Sequence, residues 1–504
     1  MMSLRNTLLV SFAFALILNS SVDAQKDSIR NSPKSWSAGS KEIWQTVDGI
    51  LNDPNLASTT WGVVIQSITS GEILYKRNEN KLLNSASLIK LFTTGAALAY
   101  LGSDFVYETQ IKTSGTIEGD KLKGDLIIVG SGDPTISGRF QNNDTYSIFN
   151  SWADRLIELG VLNIDGNLIG DDLYFETNGI GRGWNWDYLG EWYAARSSAL
   201  AFNDNSVDVT ILPGDVGLKA EIDMNPLTKF VSVINDLQTV GQDSITAIEI
   251  QKVPGNNIIK ISGTIKASEK PVNKSFAIDN PNEFFLQSLK EVLHKRGIKI
   301  RGDIKLLSNF DGLLGDQKTT TLFKHKSKPL SEIIKVCNKN SYNFYAEQIL
   351  KTIGLVEYGK GSVKNGLTVV NNHLKKSGID PATLNIVDGS GLSLLNLTSA
   401  EQFARYFRTI FKSEDFSYFY NSLPVAGRDG SLADRLLDAS ATNNLRAKPG
   451  LNENVRSLAG YIKTADNEML SVVFIANNFL VPYTFIDNII DKICNRLSIL
   501  KRKK

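Results

Sequence analysis

The hydrophobic pattern divides the chain into two textures. At the start, Arg5 is followed by an apolar run over residues 7–18 and then by Val22-Asp23-Ala24, a small-residue site. That run is well short of the ~20 apolar residues that span a bilayer, so residues 1–24 read as a cleavable secretory signal. Residues 25–40 are polar, and 41–51 carry helical spacing. Trp61-Gly62-Val63-Val64-Ile65 opens a strand over 61–68, Thr69-Ser70-Gly71-Glu72 makes a turn, and 73–76 return. Residues 87–100 predict a helix with Leu88, Leu91, Phe92, Ala96 and Ala99 on one side, closed near Gly102.

From about residue 105 short alternating strands take over, at 107–112, 116–118 and 125–129. A helix over 147–159 interrupts them, strand-like pieces continue from 168 to about 304, and another helix covers 281–295. Helices return at 330–337, 342–352 and 363–375. Thr398-Ser399-Ala400-Glu401 gives a capping-box pattern for one more, running to about 411. Strands at 444–448, 457–464 and 469–476 precede a final amphipathic helix over 484–500. The two ends share one texture and the middle has another. The expectation is an α/β (α+β) chain whose N-terminal hairpin joins the C-terminal strands in one sheet, interrupted by a β-rich insertion.

Composition leaves this picture intact. A chain of 504 residues, 42 % hydrophobic and 21 % charged, has room for two to four domains. A net charge of +2 gives no bulk drive towards nucleic acid. Cys337 and Cys494 read as buried free thiols. The last helix ends in Lys501-Arg502-Lys503-Lys504. Its apolar face suits packing on the sheet, with weak peripheral membrane contact as the other use.

Ser87-Leu88-Ile89-Lys90 opens the first helix. A spacing of three puts both side chains on one face, a turn apart. A serine hydroxyl needs a base to become a nucleophile, and a neutral lysine can serve if burial or a second cation lowers its pKa. Alone, S-x-x-K is weak, and a helix start with a snorkelling lysine is the better reading of it. His294, His325 and His373 read as surface residues, and no G-x-S-x-G elbow occurs, which disfavours a Ser–His–Asp hydrolase. Ser341-Tyr342-Asn343 opens a second helix, and Lys448-Pro449-Gly450 sits on a strand. In this order, S-x-x-K, S-x-N and K-x-G make the three-part signature of penicillin-binding proteins and class A β-lactamases.

With these motifs the chain resembles the low-molecular-mass class C penicillin-binding proteins, the D-alanyl-D-alanine carboxypeptidase/endopeptidase family. Further segments carry the likeness: Gly132-Asp133-Pro134-Thr135, Phe202-Asn203-Asp204-Asn205-Ser206, Val387-Asp388-Gly389-Ser390-Gly391-Leu392-Ser393, Leu423-Pro424-Val425-Ala426-Gly427 and Leu458-Ala459-Gly460-Tyr461-Ile462. The long insertion between the first two motifs separates it from β-lactamases. The resemblance implies a discontinuous penicillin-binding transpeptidase-like domain over 25–104 and 325–504, an antiparallel sheet flanked by helices plus a helical subdomain. Inserted β-rich domains would fill 105–324, as two subdomains: about 105–165 with 285–324, and about 166–284.

The resemblance also assigns roles. Ser87 becomes acylated, Lys90 takes its proton, Ser341 relays it to the leaving amine, Asn343 holds the peptide amide, and Lys448 supplies positive potential. Backbone N–H groups of Ser87 and Leu451, the residue after Gly450, form the oxyanion hole. Asp171 and Arg428 are candidates for the substrate-binding rim. No metal or organic cofactor is implied. The implied location is the periplasm or cell envelope; the implied partners are peptidoglycan stem peptides, with β-lactams as inhibitors. The family's threonine or serine is Pro449 here, which has neither hydroxyl nor N–H. A lost hydrogen bond to a substrate carboxylate costs roughly 1.5–3 kcal/mol, so either a less carboxylate-dependent enzyme or a slow one is expected. The alternatives are a β-lactam hydrolase and a non-catalytic peptidoglycan-binding scaffold of the same fold.

Overall fold

The computed structural model describes residues 40–176, 179–253, 255–309 and 318–502. The expected signal segment lies outside them. The N-terminal hairpin, Thr60–Ser67 and Ile73–Arg77, completes a five-stranded sheet with Arg446–Asn452, Val455–Lys463 and Met469–Asn477. Every neighbour pair in it is antiparallel, and Arg446–Asn452 is an edge strand. Long β-branched runs are needed because both faces are covered. Trp61, Val63 and Ile65 face one core with Val472 and Phe474, while Val64, Val473 and Ile475 face the other.

The first core is closed by the helices Ser40–Leu51 and Tyr483–Ser498. Ile486, Ile489, Ile490, Ile493 and Leu497 of the last helix are all buried there. This corrects the membrane-contact expectation, because the apolar face that would meet a membrane is already used by the sheet. The second core holds the helices Ile89–Leu101, Leu330–Asn340, Asn343–Tyr358, Val363–Lys376 and Ala400–Ile410. The capping box of that last helix is Ser399 with Gln402, one residue later than expected. Thr398 is occupied elsewhere: its backbone bridges Leu83, and its hydroxyl donates to Ser85 Oγ at 2.8 Å.

The insertion carries its own five-stranded sheet, in the order Ile304–Leu306, Leu168–Asp171, Leu126–Val129, Glu108–Thr113, Thr320–Lys326. The helices Ser147–Glu158 and Pro281–Lys295 pack together beside it. Strand Leu168–Asp171 pairs in parallel with Leu126–Val129, and helix Pro281–Lys295 begins before residue 285. The strand at the start of the expected 166–284 block thus lies in the sheet of the first part of the insertion. Strand pairing at residues far apart decides this, which local pattern does not report. Gln348, on the helix Asn343–Tyr358, ties the insertion down: it accepts from Ser198 N and donates to the carbonyls of Gly132 and Ser198. Cys337 and Cys494 are free and buried.

Candidate active site

A tight turn, Ala86–Leu88, leads into the helix Ile89–Leu101 and carries Ser87 at its centre. Ala86 has φ +48°. A non-glycine residue in this left-handed region is strained and must be held by its surroundings. Ala86 is fully buried, and its N–H donates to Asn84 Oδ1 at 2.9 Å. The turn leaves Ser87 half-buried at the floor of a cleft of about 720 Å³, with Lys90 fully buried behind it.

Lys90 Nζ donates to Ser87 Oγ at 3.0 Å, to Asn343 Oδ1 at 2.6 Å and to the Ser390 carbonyl at 2.7 Å. Burial pushes its pKa down to about 8, against the opposing pull of the anionic forms of Cys337, Asp388 and Glu347. This is the environment a lysine base needs. Ser341 ends the helix Leu330–Asn340 in a left-handed conformation, φ 61°, and the helix Asn343–Tyr358 starts at once. The reversal aims the Ser341 hydroxyl at Lys448, whose Nζ donates to it at 2.7 Å. Lys448 is also fully buried and donates to the Pro449 carbonyl at 2.7 Å. Burial, and then the charge of Lys90, push its pKa well below the ordinary lysine range.

The K-x-G strand forms one wall. Ala447 donates to the Pro424 carbonyl at 3.1 Å, so its N–H points away from Val455–Lys463. Backbone direction alternates with period two, so Pro449 and Leu451 face the same outer side. Pro449 is therefore tolerated at an edge position where the ladder uses no N–H. The Leu451 N–H points out of the ladder, as an oxyanion donor requires. Gly450 is glycine because the strand runs against the nucleophile turn. A Cβ there would run into Ser457 Oγ on the paired strand and lie 2.9 Å from the Ser85 carbonyl and 3.1 Å from Ala86 Cβ.

Ser87, Lys90, Ser341, Asn343 and Lys448 are thus brought together, and Gly450 and Leu451 line the same cleft. Asp171 and Arg428 do not line it. Asp171 ends an insertion strand and turns back on its own chain, accepting from Leu173 N at 3.2 Å. Arg428 is exposed in the turn after Val425. The histidines also differ from expectation. His294 is exposed, but His373 bonds the Tyr406 hydroxyl at 3.0 Å and His325 packs on Trp152. Burial lowers both of their pKa values to about 4.

Sequence reasoning missed two sets of residues. The first is a buried acidic frame. Glu347 accepts from the N–H groups of Gly389 and Ser390, and Asp388 accepts from Gly391 N, Ser393 N, Asn396 Nδ2 and Trp184 Nε1. Its sequence signal is an acid one helical turn after Asn343. The second is the insertion's wall, Tyr188, Trp192 and Tyr193, with Tyr193 O accepting from Asn343 Nδ2 at 2.7 Å. The dense aromatic run from 184 to 193 was the available signal.

A serine paired to a buried lysine, faced by a second serine–lysine pair across a strand-walled cleft, is the arrangement of a serine acyl-transfer enzyme. The D-Ala-D-Ala carboxypeptidase 3 (S13) family profile matches residues 43–497. The chain belongs to this family of serine peptidases. It is 30 % identical over 440 residues to a D-alanyl-D-alanine carboxypeptidase of Actinomadura sp. (strain R39), spanning 85 % of this chain and 80 % of that one. The crystal structure of penicillin binding protein 4 (dacB) from Haemophilus influenzae superposes with a TM-score of 0.78 at 25 % identity, covering 90 % of this chain and 99 % of that one. The same protein complexed with a β-lactam gives a TM-score of 0.73 at 24 % identity, with the same coverage.

Proposed function

We propose that this chain is an exported serine D-Ala-D-Ala carboxypeptidase/endopeptidase of peptidoglycan stem peptides, working through an acyl-enzyme on Ser87 and acylated by penicillins. The observation that carries the reading is the 3.0 Å contact between Ser87 Oγ and a fully buried Lys90. Membership of the S13 family and the β-lactam complex of a structural relative support it. No helix among the described residues is long and apolar enough to cross a membrane.

The chemistry follows from the hydrogen bonds. Ser87 Oγ attacks the carbonyl carbon of the D-Ala–D-Ala bond and its proton passes to neutral Lys90. The N–H groups of Ser87 and Leu451 stabilise the oxyanion. A charge gained on Lys90 makes Lys448 more acidic, because like charges in a buried site repel. Lys448 therefore gives a proton through Ser341 to the departing amine. The C–N bond breaks and D-alanine leaves. Water then attacks the ester and loses its proton to Ser341 and Lys448. Lys90 returns its proton to Ser87 Oγ, and the site is reset.

The test is the mass of the intact protein after incubation with benzylpenicillin. The expected result is one added penicillin on the wild type and none on Ser87→Ala. An unmodified wild type would refute the acyl-enzyme.

A further inference from the structure

Residues paired across antiparallel strands share a face of the sheet. Pro449 pairs with Leu458 and Leu451 with Arg456. These four side chains therefore lie on one face, opposite to Lys448 and Gly450. Pro449 and Arg456 are diagonal neighbours on it, at a spacing of about 7 Å that a long side chain covers. Pro449, Leu451, Arg456 and Tyr483 all line the cleft where it wraps the edge strand.

Arg456 is held rigidly in that place. Its Nε and Nη2 donate to the two carboxylate oxygens of Asp487 at 2.7 and 2.6 Å. This fork leaves Nη1 outside the pair. Arg435 Nη1 also lies 2.8 Å from Asp487, and Arg435 is paired in turn with Asp491. The ring of Tyr483 lies 5.5 Å from the Arg456 guanidinium carbon. The charge of Arg456 also reaches Lys448, where it disfavours the ammonium form. A cation is thus fixed beside the position where this chain has no hydroxyl. Neither Pro449 nor Leu451 can donate a side-chain hydrogen bond to a carboxylate.

We propose that Arg456 binds the carboxylate that ends the stem peptide, in place of the hydroxyl that Pro449 lacks. The proposal rests on the peptidase reading above and names the group that selects a free C-terminus. Arginine suits this because a planar guanidinium donates to carboxylates in a fixed geometry.

The experiment uses the full chain and two peptides, identical through D-Ala-D-Ala, one ending in a free carboxylate and one in a carboxamide. The wild type should turn over the acid with the higher kcat/KM. Arg456→Gln should lower kcat/KM for the acid by about 10- to 150-fold, mainly through KM, and so collapse the acid-to-amide ratio. Arg456→Lys should restore part of that ratio. Equal losses on both peptides would mean that Arg456 only supports the fold, and would overturn the proposal. A wild-type ratio near one would overturn it too, whether or not the variant folds. A wild type that cleaves neither peptide would instead refute the peptidase reading.

Discussion

The carboxylate of Glu347 accepts a 2.8 Å hydrogen bond from the Ser390 N–H, and the Ser390 carbonyl accepts a 2.7 Å bond from Lys90. One peptide unit away, Glu347 also takes the Gly389 N–H at 3.0 Å. The base is therefore positioned through a loop that a buried acid holds. Burial, and then the neighbouring Asp388, raise the Glu347 pKa to about 7. Glu347→Gln keeps an acceptor for both N–H groups and should retain penicillin acylation within a few-fold. Glu347→Ala leaves two buried donors unpaired, at roughly 1–3 kcal/mol each. It should lower both the urea midpoint and the acylation rate.

Acylation should rise with pH. Only neutral Lys90 can accept the Ser87 proton, and its pKa is lowered to about 8. At pH 7 about one molecule in ten carries the neutral amine, and each pH unit below that costs about tenfold. The rate should climb from pH 6 towards 8, read by stopped-flow with a chromogenic cephalosporin. Lys90→Arg keeps a cation but supplies no neutral base, so its acylation should be lost across the range.

Gly450→Ala places a methyl group against Ser457 Oγ, the Ser85 carbonyl and Ala86. Overpacking of this kind costs about 1–3 kcal/mol. The strand must move away from the Ser87 turn, carrying the Leu451 N–H with it. Acylation should fall more than thermal stability does, and parallel kinetic and melting measurements separate the two.

Pro449→Thr should act mainly where Arg456 is missing. In Arg456→Gln, the added hydroxyl should recover part of the lost kcat/KM on the acid peptide. In the wild type the gain should be smaller, and a double-mutant cycle measures the difference.

Asp487 joins two arginines, Arg456 and Arg435, with side-chain exposures near one tenth. Asp487→Ala strands the Arg456 guanidinium while Arg435 keeps Asp491, and breaking a buried pair costs about 3–5 kcal/mol. Urea unfolding should show a loss of that order.

Much of the candidate site is legible in the linear sequence because it is local. Ser87 sits in the turn that leads into the helix carrying Lys90 three residues later, Ser341 and Asn343 flank one helix start, and Lys448 and Gly450 share one strand. The hairpin's union with the C-terminal strands was legible too, since matching texture at two distant ends signals a shared sheet. What tertiary structure alone decided is long-range. The acids Glu347 and Asp388 look like ordinary helix and loop residues until the fold buries them under Lys90. Arg456 looks like a surface arginine on a strand until register sets it diagonal to Pro449. Asp171 reads as a rim acid, and the fold sets its strand beside Leu126–Val129, outside the residues that line the cleft. Motif spacing records which residues share an element. Which elements meet depends on packing and strand pairing across hundreds of residues, and that is where Pro449 acquires an arginine for a neighbour.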